Sequence, residues 1–316
     1  MKRLATPAAL VLAALAWFVP ALGGGTPVVY ATCTTVAILA VMAYGADLVL
    51  SYLGEVSLGH TIFWAAGGYA AAMLSVNAGW SGWATAAASV AIAVALAAVL
   101  GLVTLRTREF VFSLVTYAAA VVAMEVAFNW AFLGGSDGIV GVPPLQLTLL
   151  GHGVNGAGNE QLWPVAWGLL MLTLLFIERF RQSRLGTSAL MVQMNPDLAQ
   201  ALGVDAARVR FLVFVASAPI SALAGWLYAY QRAYVGTDMF ESYFLVLMLT
   251  AIVIVGRRLL LGPLIGTALI IVQQTFFSIG GDGDKIVLGA VLAAILLLWP
   301  RGLIGLWETL RARSRG

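Results

Sequence analysis

Residues 84–105 read ATAAASVAIAVALAAVLGLVTL, and this stretch decides the fold class. It is apolar on every side of a helix, carries no charge, and is as long as the ~20 residues that a helix needs to cross a bilayer. A membrane barrel strand would alternate apolar and polar residues over about ten positions; neither this stretch nor Leu288–Trp299 does so. Outward from it, Arg106 and Arg108 close the apolar run. The rest of the chain has the same character: 61% of its 316 residues are hydrophobic, 10% are charged, and the mean hydropathy is +0.96. A soluble domain carries about 25% charged residues, so the bilayer is the solvent here. The expected class is all-α, a polytopic transmembrane helical bundle.

Ten apolar stretches lie near spanning length: 4–22, 28–50, 58–76, 81–105, 110–133, 162–178, 209–230, 240–256, 261–279 and 285–300. With an inside N-terminus and ten crossings, one side receives Lys2, Arg3, Arg106, Arg108, Arg179, Arg181, Arg184, Arg208, Arg210, Arg257, Arg258, Arg301, Arg311, Arg313 and Arg315. The other receives Arg232 and Lys285, so the split is 15 against 2 of the 17 basic residues. Lys and Arg collect on the cytoplasmic side, which places both termini in the cytoplasm. The stretch 58–76, with its glycines and polar start, would also fit a re-entrant or broken helix. Residues 1–25 have the outline of a signal peptide, but cleavage would upset the charge alternation, so an uncleaved first span is expected. The whole chain, 1–316, reads as one membrane domain with an external connection at 134–161 and a cytoplasmic region at 179–210.

In the cytoplasmic region, Asn195–Gly203 carries helix punctuation. Asn195 suits an N-cap, Pro196 the first helical position, Asp197 the first turn, and Gly203 the left-handed residue after the end. Asp205 suits the cap of the next helix. A rigid element here would let a soluble motor drive the membrane part; a solvated linker is the equal alternative. The external connection opens Gly134-Gly135-Ser136-Asp137-Gly138, either a turn or a surface of exposed N–H groups. Ser57, Gly59 and His60, with Gly67-Gly68-Tyr69 beyond, put an imidazole at the start of a span, where such groups mark pathways or pack. Further intramembrane polar residues are Asp47, Glu125, Asn129, Gln273 and Gln274, and Pro219 and Gly262-Pro263 would kink or start helices. A proton relay through Glu125 and His60 would make the chain a secondary carrier, although no span interior offers a Lys or Arg to pair with them.

Cys33 is the single cysteine and the histidines number two, too few for a disulfide framework or a structural zinc site. The chain lacks G-x-x-x-x-G-K-[ST], G-x-S-x-G and H-E-x-x-H, so it has no usual phosphate-binding loop, nucleophile elbow or metalloprotease pair. Any ATP that powers it must be bound by another chain.

Several pieces in order carry a resemblance: G-E-V-S-L-G-H at 54–60, L-R-T-R-E-F-V-F-S-L-V-T at 105–116, G-G-S-D-G-I at 134–139, S-R-L-G at 183–186, A-L-G-V-D at 201–205, L-L-L-G-P at 259–263 and W-P-R-G-L-I-G at 299–305. On these the chain resembles the permease family of branched-chain amino acid ABC transporters, in its LivM-type subunit. The resemblance implies a bacterial inner-membrane protein that binds no cofactor itself. Its implied partners are a second homologous permease subunit, two cytoplasmic ATPase subunits holding ATP and magnesium, a periplasmic solute-binding protein and the lipid bilayer, with no nucleic acid. It implies that Asn195, Pro196, Asp197, Leu198, Leu202 and Gly203 dock on the ATPases. Ser57, Gly59, His60, Tyr69 and Glu125 are candidates to line or brace the path, and 134–138 to shape the entrance. Related subunits also serve urea, amides, and aromatic or dicarboxylic acids. Three departures from the family pattern are Met191–Asp197, where R-E-N-E-like charges are usual, Val255–Pro263, where G-G-x-G-S-x-x-G-P is usual, and Val121, where an acidic residue is common and Glu125 follows about one turn later.

Overall fold

The computed structural model describes residues 10–104, 109–149, 152–276, 280 and 282–298. The motif at 299–305, residues 105–108, and Lys2, Arg3, Arg301, Arg311, Arg313 and Arg315 lie outside them. Each of the ten apolar stretches overlaps a helix of the described residues: α1 (Leu10–Leu22), α2 (Pro27–Tyr52), α3 (His60–Ala78), α4 (Gly82–Thr104), α5 (Glu109–Asn129), α6 (Asn159–Gln182), α9 (Ala206–Arg232), α10 (Ser242–Val255), α11 (Gly262–Phe276) and α12 (Asp282–Leu298). Two more, α7 (Arg184–Met194) and α8 (Pro196–Ala201), join α6 to α9. Among the described residues, five helices, α2, α4, α5, α6 and α9, are long and apolar enough to cross a membrane. α10 and α11, at 14 and 15 residues, extend about 21–23 Å at 1.5 Å per residue, short of a ~30 Å hydrocarbon core.

The bundle is built on α2, α3 and α9. α9 packs on α2, α3 and α4; α2 also packs on α6 and α11, and α10 on α11 and α12. Water cannot drive helices together inside lipid, so close approach of small residues must do it. At the α3–α9 crossing, a Cβ on Gly225 would lie 1.8 Å from the Trp64 carbonyl oxygen, and one on Gly67 2.0 Å from that of Ala222. At the α2–α9 crossing, a Cβ on Gly45 would meet Ser221 Oγ at 2.1 Å. α4 shows the same rule along its length. Gly82, Thr85, Ala86, Ser89, Ala93, Ala97, Gly101 and Thr104 form its buried face, while Ile92, Val99, Leu102 and Val103 point outward. Small inside and large outside inverts the soluble pattern and suits an outer surface of lipid.

Among the described residues, four short strands interrupt the otherwise helical chain. β1 (Ile139–Val140) pairs antiparallel with β4 (Tyr234–Val235), and β2 (Leu145–Leu149) with β3 (His152–Gly156). The stretch 110–133 ends as a helix at Asn129, and a separate 3₁₀ turn covers Ala131–Leu133. The stretch 162–178 is longer than its apolar run: α6 carries Arg179 and Arg181 inside its last turn, where cations complement the helix dipole.

Candidate functional site

At one end of the bundle Arg210 and Arg258 reach the chain that leaves α2. Residues 53–59 leave the helical path between α2 and α3, and their backbone is held by hydroxyls of α5. Ser113 Oγ donates to the Val56 carbonyl at 2.6 Å, and the Leu58 N–H donates to Thr116 Oγ1 at 3.1 Å. A Cβ on Gly59 would lie 2.6 Å from the Thr116 carbonyl oxygen, so glycine is required for this approach. Irregular backbone survives at membrane depth when protein encloses and satisfies it. Two motifs far apart in sequence, 54–60 and 105–116, thus form one contact. Glu55 lies buried beside Arg210 at 3.1 Å. Glu55 escapes a reading of the sequence, since nothing local announces its partner 155 positions away.

From this end α3 runs unbroken for 19 residues, alongside α9, to the end that carries the strands. His60 contacts Ser217, and Gly82, just after α3, packs on Leu145 and Gln146 of β2. The broken-helix alternative for 58–76 is therefore not what forms; the irregular part precedes the helix. His60 is fully enclosed, with Nε2 3.0 Å from Ser217 Oγ and its ring edge-on to Phe63 and Phe214. Ser57 and Tyr69 are buried too, and neither hydroxyl finds a hydrogen-bond partner among the described residues. Tyr69 lies toward the opposite end, beside Phe240. Glu125 stands apart from all of these. It is exposed on α5, one turn before the helix end, and Asn129 Nδ2 donates to its carboxylate at 3.3 Å. The structure does not bring Glu125 and His60 together.

Gly134, Gly135 and Gly138 all adopt positive φ, at 87°, 57° and 69°. A Cβ on Gly138 would strike the Val235 carbonyl oxygen at 2.5 Å and the Tyr234 hydroxyl at 2.8 Å. Ser136 and Asp137 are exposed at the tip. The turn therefore presses on β4, beside Arg232, whose guanidinium faces the Tyr228 and Tyr234 rings and pairs with Asp238 at 2.5 Å.

The 179–210 region folds as its punctuation requires. Asn195 Oδ1 accepts from the N–H groups of Asp197 and Leu198 at 3.1 and 3.0 Å, Pro196 opens α8, and Gly203 is left-handed at φ 82°. Asp205 Oδ1 accepts from the Arg208 N–H at 3.1 Å and caps α9. Ala199 is the buried anchor of α8, whereas Leu198, Leu202 and Met194 are 58%, 67% and 83% exposed. Local capping bonds and a buried alanine hold a short helix whose large apolar side chains face outward.

A family model described as the permease component of the branched-chain amino acid transport system matches residues 28–296. Among characterised proteins, the high-affinity branched-chain amino acid transport system permease protein LivM of Escherichia coli is 24% identical, over 94% of this chain and 73% of its own length. LivM of Salmonella typhimurium matches to the same extent. The permease protein LivH of Escherichia coli is 26% identical over 84% of this chain and 91% of its own length. No solved structure matches the chain. A family match across most of the bundle, from the first turn of α2 to near the end of α12, makes this chain a member of the branched-chain amino acid transport system permease family.

Proposed function

We propose that the chain is one of two membrane subunits of an ATP-driven importer in the bacterial inner membrane. Its solute is a branched-chain amino acid or a similar small polar compound. It works with a second, homologous permease subunit, two cytoplasmic ATPase subunits that bind ATP and magnesium, and a periplasmic solute-binding protein. Both termini lie in the cytoplasm, and residues 1–316 act as one permease domain. The observation that carries this reading is α8: capped at both ends, anchored by Ala199, and exposing Leu198 and Leu202 beside Met194 at the end of α7. An exposed apolar cluster on a rigid element suits a protein partner. Cytoplasmic placement of that end is supported by the positive-inside rule. The path itself lies between the two membrane subunits, because Ser57, Gly59, His60 and Tyr69 are enclosed within this one and brace it. Gly134–Gly138 fixes the shape of the outer mouth, and Glu125 with Asn129 stands on the exposed rim beside it.

The test is ATP hydrolysis by the complex purified in lipid discs, with and without its binding protein loaded with leucine, urea, an aromatic acid or a dicarboxylic acid. Stimulation by one loaded solute supports the importer and identifies the cargo. Uptake that follows an imposed proton gradient, with no ATPase co-purifying, refutes it. Leu198→Asp with Leu202→Asp should abolish ATPase co-purification while leaving the membrane subunits paired.

A further inference from the structure

Arg258 lies in the tight connection between α10 and α11 and has φ 65°, one of two non-glycine residues with positive φ among the described residues. For an L-residue this conformation is strained, and it persists where surrounding contacts over-determine it. Those contacts are specific. The Arg258 N–H donates to Ser51 Oγ at 3.2 Å, Nε donates to the Ser51 carbonyl at 3.0 Å, and Nη2 donates to Gln193 Oε1. Ser51 Oγ in turn donates to the buried Asp47 carboxylate at 2.6 Å. Tyr44 donates to the Leu260 carbonyl at 2.5 Å, pinning the same connection to α2. On the other side, Gln193 belongs to the last turn of α7, two residues before the Asn195 cap of α8, and its amide packs against Gly54.

We propose that Arg258 is a positioning residue that clamps the coupling region to the membrane core. Its guanidinium has donors in a fixed plane: one edge holds the end of α2, the other holds Gln193. A displacement of α8 that carries the end of α7 with it is therefore transmitted to α2 and to the α10–α11 hairpin. The clamp rests on the reading of α8 as the element on which a partner pushes. Without Arg258, α7 and α8 would still fold, since their caps are local, but they would be tied to the core less firmly.

The experiment uses the full chain in its co-expressed complex, with uptake and ATP hydrolysis followed in the same proteoliposomes, and hydrogen exchange on the full chain alone. Arg258→Gly suits the positive φ and deletes the fork; Gln193→Ala breaks the link from the other side; Arg258→Lys keeps the charge without the planar geometry. A hydrogen bond to a charged group corresponds to about tenfold in an equilibrium. All three variants should therefore assemble and hydrolyse ATP as the parent does, yet move about tenfold less solute per ATP. The Gly/Ala double variant should be no worse than either single one, because both remove one link. In the chain alone, Arg258→Gly should speed amide exchange in α8 by about tenfold. Unchanged exchange in α8 overturns the clamp, whatever the transport class. Full coupling in Arg258→Gly, or losses that multiply to about a hundredfold in the double variant, overturns it within an intact ATP-driven importer. A parent complex that moves solute without ATP overturns the importer reading instead, and the exchange result then decides the clamp.

Discussion

Gly225→Ala tests whether the α3–α9 crossing holds the bundle together. The added methyl would lie 1.8 Å from the Trp64 carbonyl oxygen, 2.8 Å from its carbonyl carbon and 3.2 Å from the Gly68 nitrogen. Ordinary contact begins at 3.4 Å, so the helices must part by about 1.6 Å. No flexible side chain can absorb this, because all three obstacles are backbone. Alanine in a helix interior is worth about 1 kcal/mol over glycine, whereas overpacking costs about 1–3 kcal/mol and more where backbone must move. Separation also loosens His60 against Ser217, a 3.0 Å contact across the same pair of helices. The expected net loss is roughly 2 kcal/mol, about 4 °C or somewhat less for a chain of this size. Thermal unfolding of the purified full chain in detergent measures it, with Gly168→Ala as the reference. Gly168 lies in α6, where an added methyl would have no atom within 4 Å, so that variant should be neutral or stabilised by up to about 1 kcal/mol. Equal stability of the two variants would refute close glycine packing as the basis of this crossing.

Asn195→Ala removes both cap bonds of α8 and should cost about 1 kcal/mol of local stability, read as faster amide exchange at Asp197 and Leu198 with little change in global unfolding. Arg210→Met takes the Arg210 guanidinium from the buried Glu55 carboxylate and should destabilise the chain by about 2 kcal/mol. Glu55→Gln combined with Arg210→Met should recover at least half of that loss, again by thermal unfolding. His60→Ala deletes an enclosed ring packed on Phe63 and Phe214. It should cost about 2–4 kcal/mol through the cavity it leaves and lower uptake; wild-type stability together with lost uptake would argue instead for a direct role in the path.

The helices were legible because lipid imposes a length and a composition that side-chain patterns display directly. That is why each apolar stretch, including the ambiguous 58–76, became a helix. Local chemistry was equally readable at Asn195, Pro196, Gly203 and Asp205, since a cap involves partners two or three residues away. α7 escaped notice because Arg184–Met194 is neither strongly apolar nor marked at its C-terminal end by glycine. Its N-cap, Ser183, which accepts from the Gly186 N–H at 3.1 Å, was visible but unread. The buried stripe of α4 was also available, as small residues three or four apart, but hydropathy counts such positions as simply apolar.

What stayed hidden was long-range. Glu55–Arg210, Ser51–Arg258 and Ser113–Val56 join segments that only the packed bundle brings together. Their placement shows how a chain with so few charges uses them. Lipid can hold helices side by side through small residues, but it cannot fix what happens at their ends, where backbone leaves the helix and must be satisfied. Polar links therefore concentrate there: hydroxyls of α5 on 56–58, a carboxylate on Arg210, and a guanidinium between α2 and α7. The same reasoning accounts for Glu125. Once α5 is seen to stop at Asn129 rather than 133, its carboxylate lies one turn from an exposed helix end, with the Asn129 amide as its partner. His60 instead stands at the start of α3, at the level of Thr116 on α5, nine residues before Glu125, so the bundle leaves the two groups apart.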